Sequence, residues 1–153
     1  MELKGVLFED FVNYKEPSMF LIFPHCSFKC GKELCQNSDT ALLPSISTTP
    51  SSLISKYLSN PITSAVVCGG LEPFDSFDDL YSFIKELRYH CGDTVVIYTG
   101  YEKGEIDKEI NELKPFGNII VKFGRYVPNK TPYYNHLLGV NLVSGNQYAE
   151  KIC

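Results

Sequence analysis

Segments that direct a chain into or across a membrane are missing from this sequence. No apolar run approaches the roughly 20 residues that span a bilayer. The first residues, 1–5, lack the charged-then-apolar pattern of a secretory signal. We therefore expect a soluble protein of the cytoplasm, where cysteines serve as metal or redox ligands more often than as disulfides.

An excess of positive charge is also missing. The net charge is −4 and the isoelectric point is near 5.3, so neither nucleic acid nor an anionic membrane is an expected partner. The chain has 153 residues, of which 44% are hydrophobic, and this composition makes disorder improbable. No low-complexity linker divides it, and we expect one domain over residues 1–153.

Three cysteines lie within ten residues, directly after the apolar run 19–23, and they are Cys26, Cys30 and Cys35. Clustered thiolates suit zinc or an iron–sulfur cluster. Zinc sites usually have a second ligand pair downstream, which is missing here, although His25 or another cysteine could complete such a site. A cubane cluster held by three cysteines has one iron open to a substrate, which would make the site catalytic. Disulfide bonds between these cysteines are a less favoured alternative, because the sequence shows no secretory context.

Alternating apolar runs and amphipathic segments predict an α/β fold. The expected strands are residues 5–8, 19–23, 64–68, 94–98 and 118–123. The first expected helix begins at Pro50 behind a Thr49 cap, the second follows a cap at Asp75 or Ser76 and extends to about Tyr89, and the third covers Glu105 to Lys114. Residues 37–50, which are rich in Ser, Thr and Pro, are expected to cross the surface. Strands alternating with helices at this spacing predict a mainly parallel sheet.

The chemically informative loops all follow strands. They are the cysteine loop 26–35, the Gly-Gly-Leu-Glu-Pro segment 69–73, and the Thr-Gly-Tyr segment 99–101. The carboxyl ends of parallel strands meet at one edge, so these loops should converge on a ligand site. Taken singly, the two glycines could form a plain turn, and Glu72 could be an ordinary first-turn acid.

The motif Cys26-x3-Cys30 with Cys35, followed by Gly-Gly-Leu-Glu-Pro at 69–73, resembles the radical S-adenosylmethionine (SAM) superfamily. The segments Tyr-Thr-Gly-Tyr at 98–101 and Val-Ser-Gly-Asn-Gln at 143–147 resemble the activating proteins of anaerobic ribonucleoside-triphosphate reductases. The likeness extends over residues 10–147. The chain departs from the family pattern in its four-residue gap before the third cysteine and at three further positions, Leu34, Leu71 and Phe123.

This resemblance implies a short, open partial (βα) barrel with a mainly parallel sheet. It also implies that a 4Fe–4S cluster is held by Cys26, Cys30 and Cys35, and that SAM is bound beside it. The implied SAM contacts fall into three groups: Gly69, Gly70 and Glu72 at the methionyl amino group; Tyr98, Thr99 and Gly100 at the sugar and adenine; and Ser144 and Asn146 on the far side.

The implied activity is reductive cleavage of SAM to methionine and a 5′-deoxyadenosyl radical, which takes a hydrogen from a glycine of the reductase. The implied partners are the large subunit of the anaerobic reductase and an electron donor such as flavodoxin. Two other functions remain open: a radical SAM enzyme acting on a small molecule, and a non-enzymatic zinc or iron–sulfur module that binds a partner. The remaining cysteines, Cys68, Cys91 and Cys153, are not expected to be ligands.

Overall fold

The structure is a computed structural model that describes residues 1–29 and 31–153. Its strands are β1 Glu2–Leu3, β2 Gly5–Asp10, β3 Ser18–Phe23, β4 Ile46–Ser47, β5 Ala65–Gly70, β6 Thr94–Tyr98, β7 Ile119–Phe123, β8 Tyr133–Asn135, β9 Val140–Leu142 and β10 Tyr148–Lys151. Its α-helices are α1 Pro50–Ser59, α2 Phe77–Arg88 and α3 Asp107–Leu113. Short 3-10 turns occupy Ser38–Leu42, Pro73–Ser76, Lys103–Glu105 and Lys114–Phe116.

Six strands form one mixed sheet in the order β10-β7-β6-β5-β3-β2. The four central strands are parallel, and the two edge strands, β2 and β10, pair antiparallel to their neighbours. Two further pairs, β1 with β4 and β8 with β9, lie outside this sheet. The molecule is therefore a mixed α/β fold with a mostly parallel sheet. The partial-barrel shape that the resemblance implies stays a prediction.

The apolar runs and caps predict the central elements well. Thr49 caps α1 as expected, because its side-chain oxygen accepts a hydrogen bond from the Ser52 amide at 3.2 Å, and Pro50 is the first helical residue. Helix α3 begins at Asp107, two residues after the expected Glu105, because a 3-10 turn occupies Lys103–Glu105.

Alternate residues of the sheet pack on two different layers. Met19, Val66 and Val95 belong to the core under the helices, together with Phe83 and Ile84 of α2. Their strand neighbours face the opposite layer, where Val67, Val96 and Ile120 pack with Tyr14, Leu138 and Leu142 near the β8–β9 pair. A strand side chain therefore lies on one of two faces of the sheet. We call the face that packs against α1, α2 and α3 the helical face, and the other, on which none of these α-helices packs in the described part of the chain, the helix-free face.

The sequence analysis did not predict β1, β4, β8, β9 or β10. Strand β10 contains Glu150 and Lys151 and is only partly buried, so it lacks the apolar run that identifies the central strands. The β8–β9 pair has three residues in each strand, which is too short for a clear alternating pattern.

Candidate functional site

A cavity of about 530 Å³ lies at the carboxyl ends of β3, β5, β6 and β7. It is on the helix-free face of the sheet, where Phe20 and Ile22 line it. Residues 140–143, in and after β9, form the wall opposite the sheet. The three loops expected to converge all contribute lining residues, so the predicted convergence is confirmed: Cys26 and Cys35, Gly69 to Glu72, and Tyr98 to Gly100.

Two of the three predicted cluster ligands, Cys26 and Cys35, lie in the wall of this cavity. The Cys26 Sγ accepts a hydrogen bond from the Phe28 amide at 3.2 Å, and the Cys35 amide donates to the Gly31 carbonyl at 3.1 Å. Cys30 falls outside the described residues. Within residues 1–29 and 31–153, His, Cys, Asp and Glu form no metal-binding group of three or more, so the complete ligand set stays a prediction.

The other three cysteines, Cys68, Cys91 and Cys153, are not among the residues that line the cavity. Cys68 is fully buried in β5 on the helical face, and this burial raises the pKa of its thiol. Cys91 and Cys153 are partly buried and pack against the same helix-side core. That these three cysteines are not ligands stays a prediction.

Gly69 and Gly70 bring bare backbone to the cavity wall because side chains do not fit there. A Cβ on Gly69 would lie 2.9 Å from the ring of Phe20. Gly70 has a φ of +85°, and a Cβ on it would lie 2.5 Å from the Ile22 side chain. The strand β5 therefore packs closely on β3 and leaves its peptide groups as the surface that a ligand would meet.

Glu72 connects the loop after β5 to the loop after β6. Its Oε1 accepts hydrogen bonds from the Thr99 hydroxyl at 2.8 Å and the Phe74 amide at 3.2 Å, and its Oε2 accepts one from the Gly100 amide at 2.9 Å. Glu72 is buried, and burial raises the pKa of its carboxyl to about 7, against the lowering effect of these donors. The carboxylate fixes the geometry of both loops at the cavity wall.

Tyr98 and Thr99 also line the cavity. The Tyr98 hydroxyl donates to the Asn13 carbonyl at 2.6 Å, so the ring is fixed across the helix-free face of the sheet. The Thr99 hydroxyl oxygen accepts from the Tyr101 amide at 3.0 Å while donating to Glu72. The predicted role of these residues toward a nucleoside stays a prediction.

A second set of contacts, not expected from the sequence, anchors the start of the cysteine loop. The Asp75 carboxylate accepts from the Ser27 amide at 2.7 Å and from the Tyr101 hydroxyl at 2.6 Å. The Lys29 ammonium lies 4.7 Å from the centre of the Tyr101 ring. We call Ser27, Asp75 and Tyr101 the loop anchor. It ties the residue after Cys26 to the loops that follow β5 and β6.

Lys122 is a cavity residue that the sequence analysis missed. It is 7% exposed, and its Nζ donates to the Gly124 carbonyl at 2.8 Å and to the Thr99 carbonyl at 3.4 Å. Burial lowers the pKa of its amine to about 8, although the negative charges of Glu72 and Glu102 oppose this shift. The available signal was a lysine in the otherwise apolar segment 119–123.

Ser144 and Asn146 support the cavity from behind and are not among its lining residues. The Ser144 hydroxyl oxygen accepts from the Val127 amide at 3.4 Å, and the Asn146 amide donates to the Arg125 carbonyl at 2.8 Å. Their neighbour Gln147 lines the cavity. Any contact of Ser144 or Asn146 with a ligand stays a prediction.

None of the helices in the described part of the chain is both long enough and apolar enough to cross a bilayer. Comparison with curated proteins finds no match to this sequence. A family model described as "4Fe-4S single cluster domain" matches residues 18–140, which is most of the chain and includes the cysteine loop and the four parallel strands that border the cavity. The chain therefore belongs to the 4Fe-4S single cluster domain family.

Proposed function

We propose that this protein is a radical SAM activase, which reductively cleaves SAM at a 4Fe–4S cluster and generates a glycyl radical on an anaerobic ribonucleotide reductase. One observation carries the proposal: in a chain of an iron–sulfur family, the cysteine loop and the Gly-Gly-Leu-Glu-Pro segment border one cavity. Together, the cluster and SAM would supply one-electron reductive cleavage of a sulfonium bond.

The donor set at the cavity fits an iron–sulfur cluster. Cys26 and Cys35 supply thiolates from its wall, and Cys30 is the proposed third ligand. The Phe28 amide donates to the Cys26 Sγ, and such a bond stabilises negative charge on a cluster thiolate. With three protein ligands, one iron would remain available for the amino and carboxylate groups of SAM.

The part of the cavity wall formed by the sheet and its loops fits the rest of SAM. Gly69 and Gly70 line the cavity, and their peptide groups would receive the methionyl amino group through backbone contacts. The Glu72 carboxylate is occupied by three donors, so its proposed part is to hold the loops in place around the ligand. Tyr98, Thr99 and Gly100 would border the nucleoside.

Water exclusion would come from apolar side chains in both walls of the cavity. Phe20 and Ile22 on β3 and Leu142 on β9 line the cavity and lie on opposite sides of it. Apolar walls keep solvent away from a reactive ligand and prevent side reactions. A cavity of about 530 Å³ is in the usual size range for a small-molecule or cofactor site.

A polypeptide substrate would meet exposed apolar side chains beside the cavity. Phe11 is 62% exposed, and Val12, which lines the cavity, is 72% exposed. We propose that this edge receives the glycine loop of the reductase large subunit, and that an electron donor such as flavodoxin reduces the cluster. A location in the cytoplasm agrees with such partners.

The test is anaerobic reconstitution with iron and sulfide, followed by reduction and addition of SAM. We expect 5′-deoxyadenosine from the wild-type protein and none from Cys35→Ala. With the reductase large subunit present, we expect a glycyl-radical signal in electron paramagnetic resonance. Zinc at one per chain without acid-labile sulfide would contradict the proposal and favour a non-enzymatic binding module.

A further inference from the structure

Lys122 is a buried cation that has no ion-pair partner within residues 1–29 and 31–153. Its two acceptors, the carbonyls of Thr99 and Gly124, are neutral. In the described part of the chain, no carboxylate forms an ion pair with its Nζ. Removing a charge from water without pairing it is unfavourable, as the lowered pKa of this amine reflects. A buried ammonium in a cavity wall is therefore suited to an anion from outside the chain.

The ammonium also retains hydrogen-bonding capacity toward the cavity. A lysine ammonium has three N–H donors, and the described residues provide hydrogen-bond acceptors for two of them, one at the long distance of 3.4 Å. The Tyr98 ring, whose centre is 6.0 Å from the Nζ, is a further neighbour but not an anion. Lys122 lies in the cavity wall, so a ligand that enters the cavity reaches this group. A carboxylate or phosphate oxygen would complete its hydrogen bonds and balance its charge.

The position of Lys122 separates it from the cysteines. In the sheet register, Ile22 pairs with Gly69 and Tyr98 pairs with Lys122, so the lysine lies on β7, three strands away from β3. At a strand spacing of about 4.8 Å, the β3 and β7 backbones are roughly 14 Å apart. The cysteine loop follows β3, so the cavity has thiols on one side and an ammonium on the other.

We propose that Lys122 is the cation of an oxyanion-binding subsite, which takes the carboxylate or phosphate group of a second ligand, distinct from SAM. The distinction from SAM rests on the proposed function, in which the carboxylate of SAM binds the open iron on the cysteine side. The subsite itself rests only on the cavity and on an ammonium to which the described residues offer neutral acceptors and no carboxylate.

The first test measures binding of inorganic phosphate and of acetate to the reconstituted protein by calorimetry. We expect Lys122→Met to weaken binding by on the order of tenfold or more, because a hydrogen bond to a charged group is lost. The matched control, Lys85→Met, removes an exposed lysine on α2 and should bind as the wild type does. Equal binding by all three proteins would overturn the subsite.

A second measurement needs no variant and decides the question if Lys122→Met does not fold. Wild-type protein is acylated with a small amine-reactive ester in the presence and absence of the same two anions, and each lysine is quantified by mass spectrometry. We expect protection of Lys122 and none of Lys85. Failure of both anions to protect Lys122, or equal protection of the two lysines, would overturn the subsite.

A third arm identifies the source of the oxyanion. SAM binding to the reconstituted protein is measured by equilibrium dialysis with and without saturating phosphate. Unchanged SAM affinity supports a second ligand. If phosphate competes with SAM and SAM binds more weakly to Lys122→Met, the oxyanion belongs to SAM. That result would overturn the proposal that a second ligand binds at Lys122. The calorimetry and acylation require no SAM, so failure of the proposed function leaves the subsite separately testable.

Discussion

A cationic side chain lies at each end of the parallel strands, and the two differ in how fully the protein satisfies their hydrogen-bond donors. At the amino ends of β6 and β7, the half-buried Arg88 donates from all three guanidinium nitrogens to carbonyls, including those of Asp93, Phe116 and Gly117 at 2.9 Å each. At the carboxyl ends, Lys122 has two carbonyl acceptors and lies in the wall of a cavity. Arg88 supplies hydrogen-bond donors to the backbone carbonyls around it, while Lys122 retains an N–H donor for a ligand.

This difference indicates that polar groups at the amino ends of the strands stabilise the fold, while those at the carboxyl ends form the ligand site. The donors of Arg88 satisfy carbonyls in the loop and turn segments just before β6 and β7, so its removal should affect folding. The buried polar groups at the carboxyl ends, among them Glu72 and Thr99, hold loops around a cavity. Replacement of the proposed cluster ligands there should affect cluster binding more than folding. The predictions below test this contrast, beginning with the largest expected effect.

Cys35→Ala should abolish cluster binding, because it removes one of the proposed thiolate ligands in the cavity wall. Iron and acid-labile sulfide are measured after anaerobic reconstitution. Cys91→Ala, at the amino-end side of the sheet, is the control and should retain the wild-type content. A full cluster in Cys35→Ala would show that this residue is not a ligand. Loss of iron from Cys91→Ala would show that cluster binding also depends on the amino ends of the strands.

Glu72→Gln should flatten the dependence of stability on pH. The native pKa of Glu72, about 7, is above its ordinary value of 4.5, so the native state binds this proton more tightly than the unfolded state. The resulting stabilisation is fully present below about pH 4.5 and is lost as the pH rises through 7. The loss is about 3 kcal/mol. Urea unfolding at pH 4.5 and 7.5 measures it.

Arg88→Met provides the comparison for this pH effect, because Arg88 makes no contact with Glu72 among the described hydrogen bonds. Its difference in stability between pH 4.5 and 7.5 should equal that of the wild type. An unchanged pH dependence in Glu72→Gln would show that the carboxylate is not the group that titrates.

The parts of the fold that the sequence predicts are those with a local cause. Apolar runs identify β3, β5, β6 and β7, and the Thr49 cap with Pro50 sets the start of α1. The convergence of three loops follows from parallel pairing. Strand β10 could not be predicted, because its pairing with β7 depends on tertiary contacts and its own residues are half polar.

The hydrogen-bond partners of side chains in the site could not be predicted from the sequence for a similar reason. The hydrogen bond between Thr99 and Glu72 joins residues 27 positions apart, and no periodicity specifies it. The loop anchor joins Ser27 to Asp75, which are 48 positions apart. Lys122 could have been identified, because a lysine interrupts an otherwise apolar strand and strand alternation places it on the face of Ile120.

Arg88→Met should lower the free energy of unfolding by about 2 kcal/mol, because several carbonyls at the amino ends of β6 and β7 lose their donors and water satisfies them only in part. The cluster content should not change. Urea denaturation and iron analysis check the two halves of this expectation. The control is Lys85→Met on the exposed face of α2. An intact fold with loss of iron would contradict the separation of the two ends.

Tyr101→Phe should have the smallest effect, about 1 kcal/mol. It removes the hydroxyl that bonds to Asp75 at 2.6 Å and to the Ser27 hydroxyl at the long distance of 3.4 Å, and it keeps the ring that the Lys29 ammonium faces. Burial and the bond to Asp75 raise the pKa of this tyrosine to about 12, so its hydroxyl remains a donor at neutral pH. A looser cysteine loop opens more often, and a chelator should remove iron severalfold faster.

The rate of iron loss to the chelator is compared with that of Tyr89→Phe, which alters a tyrosine that is 77% exposed near the amino ends of the strands. Global unfolding would accelerate iron loss in any destabilised variant, so Arg88→Met serves as a second comparison. It is expected to be less stable than Tyr101→Phe and yet to lose iron more slowly. The reverse order would mean that cluster retention follows overall stability, and that the loop anchor has no separate role at the carboxyl ends.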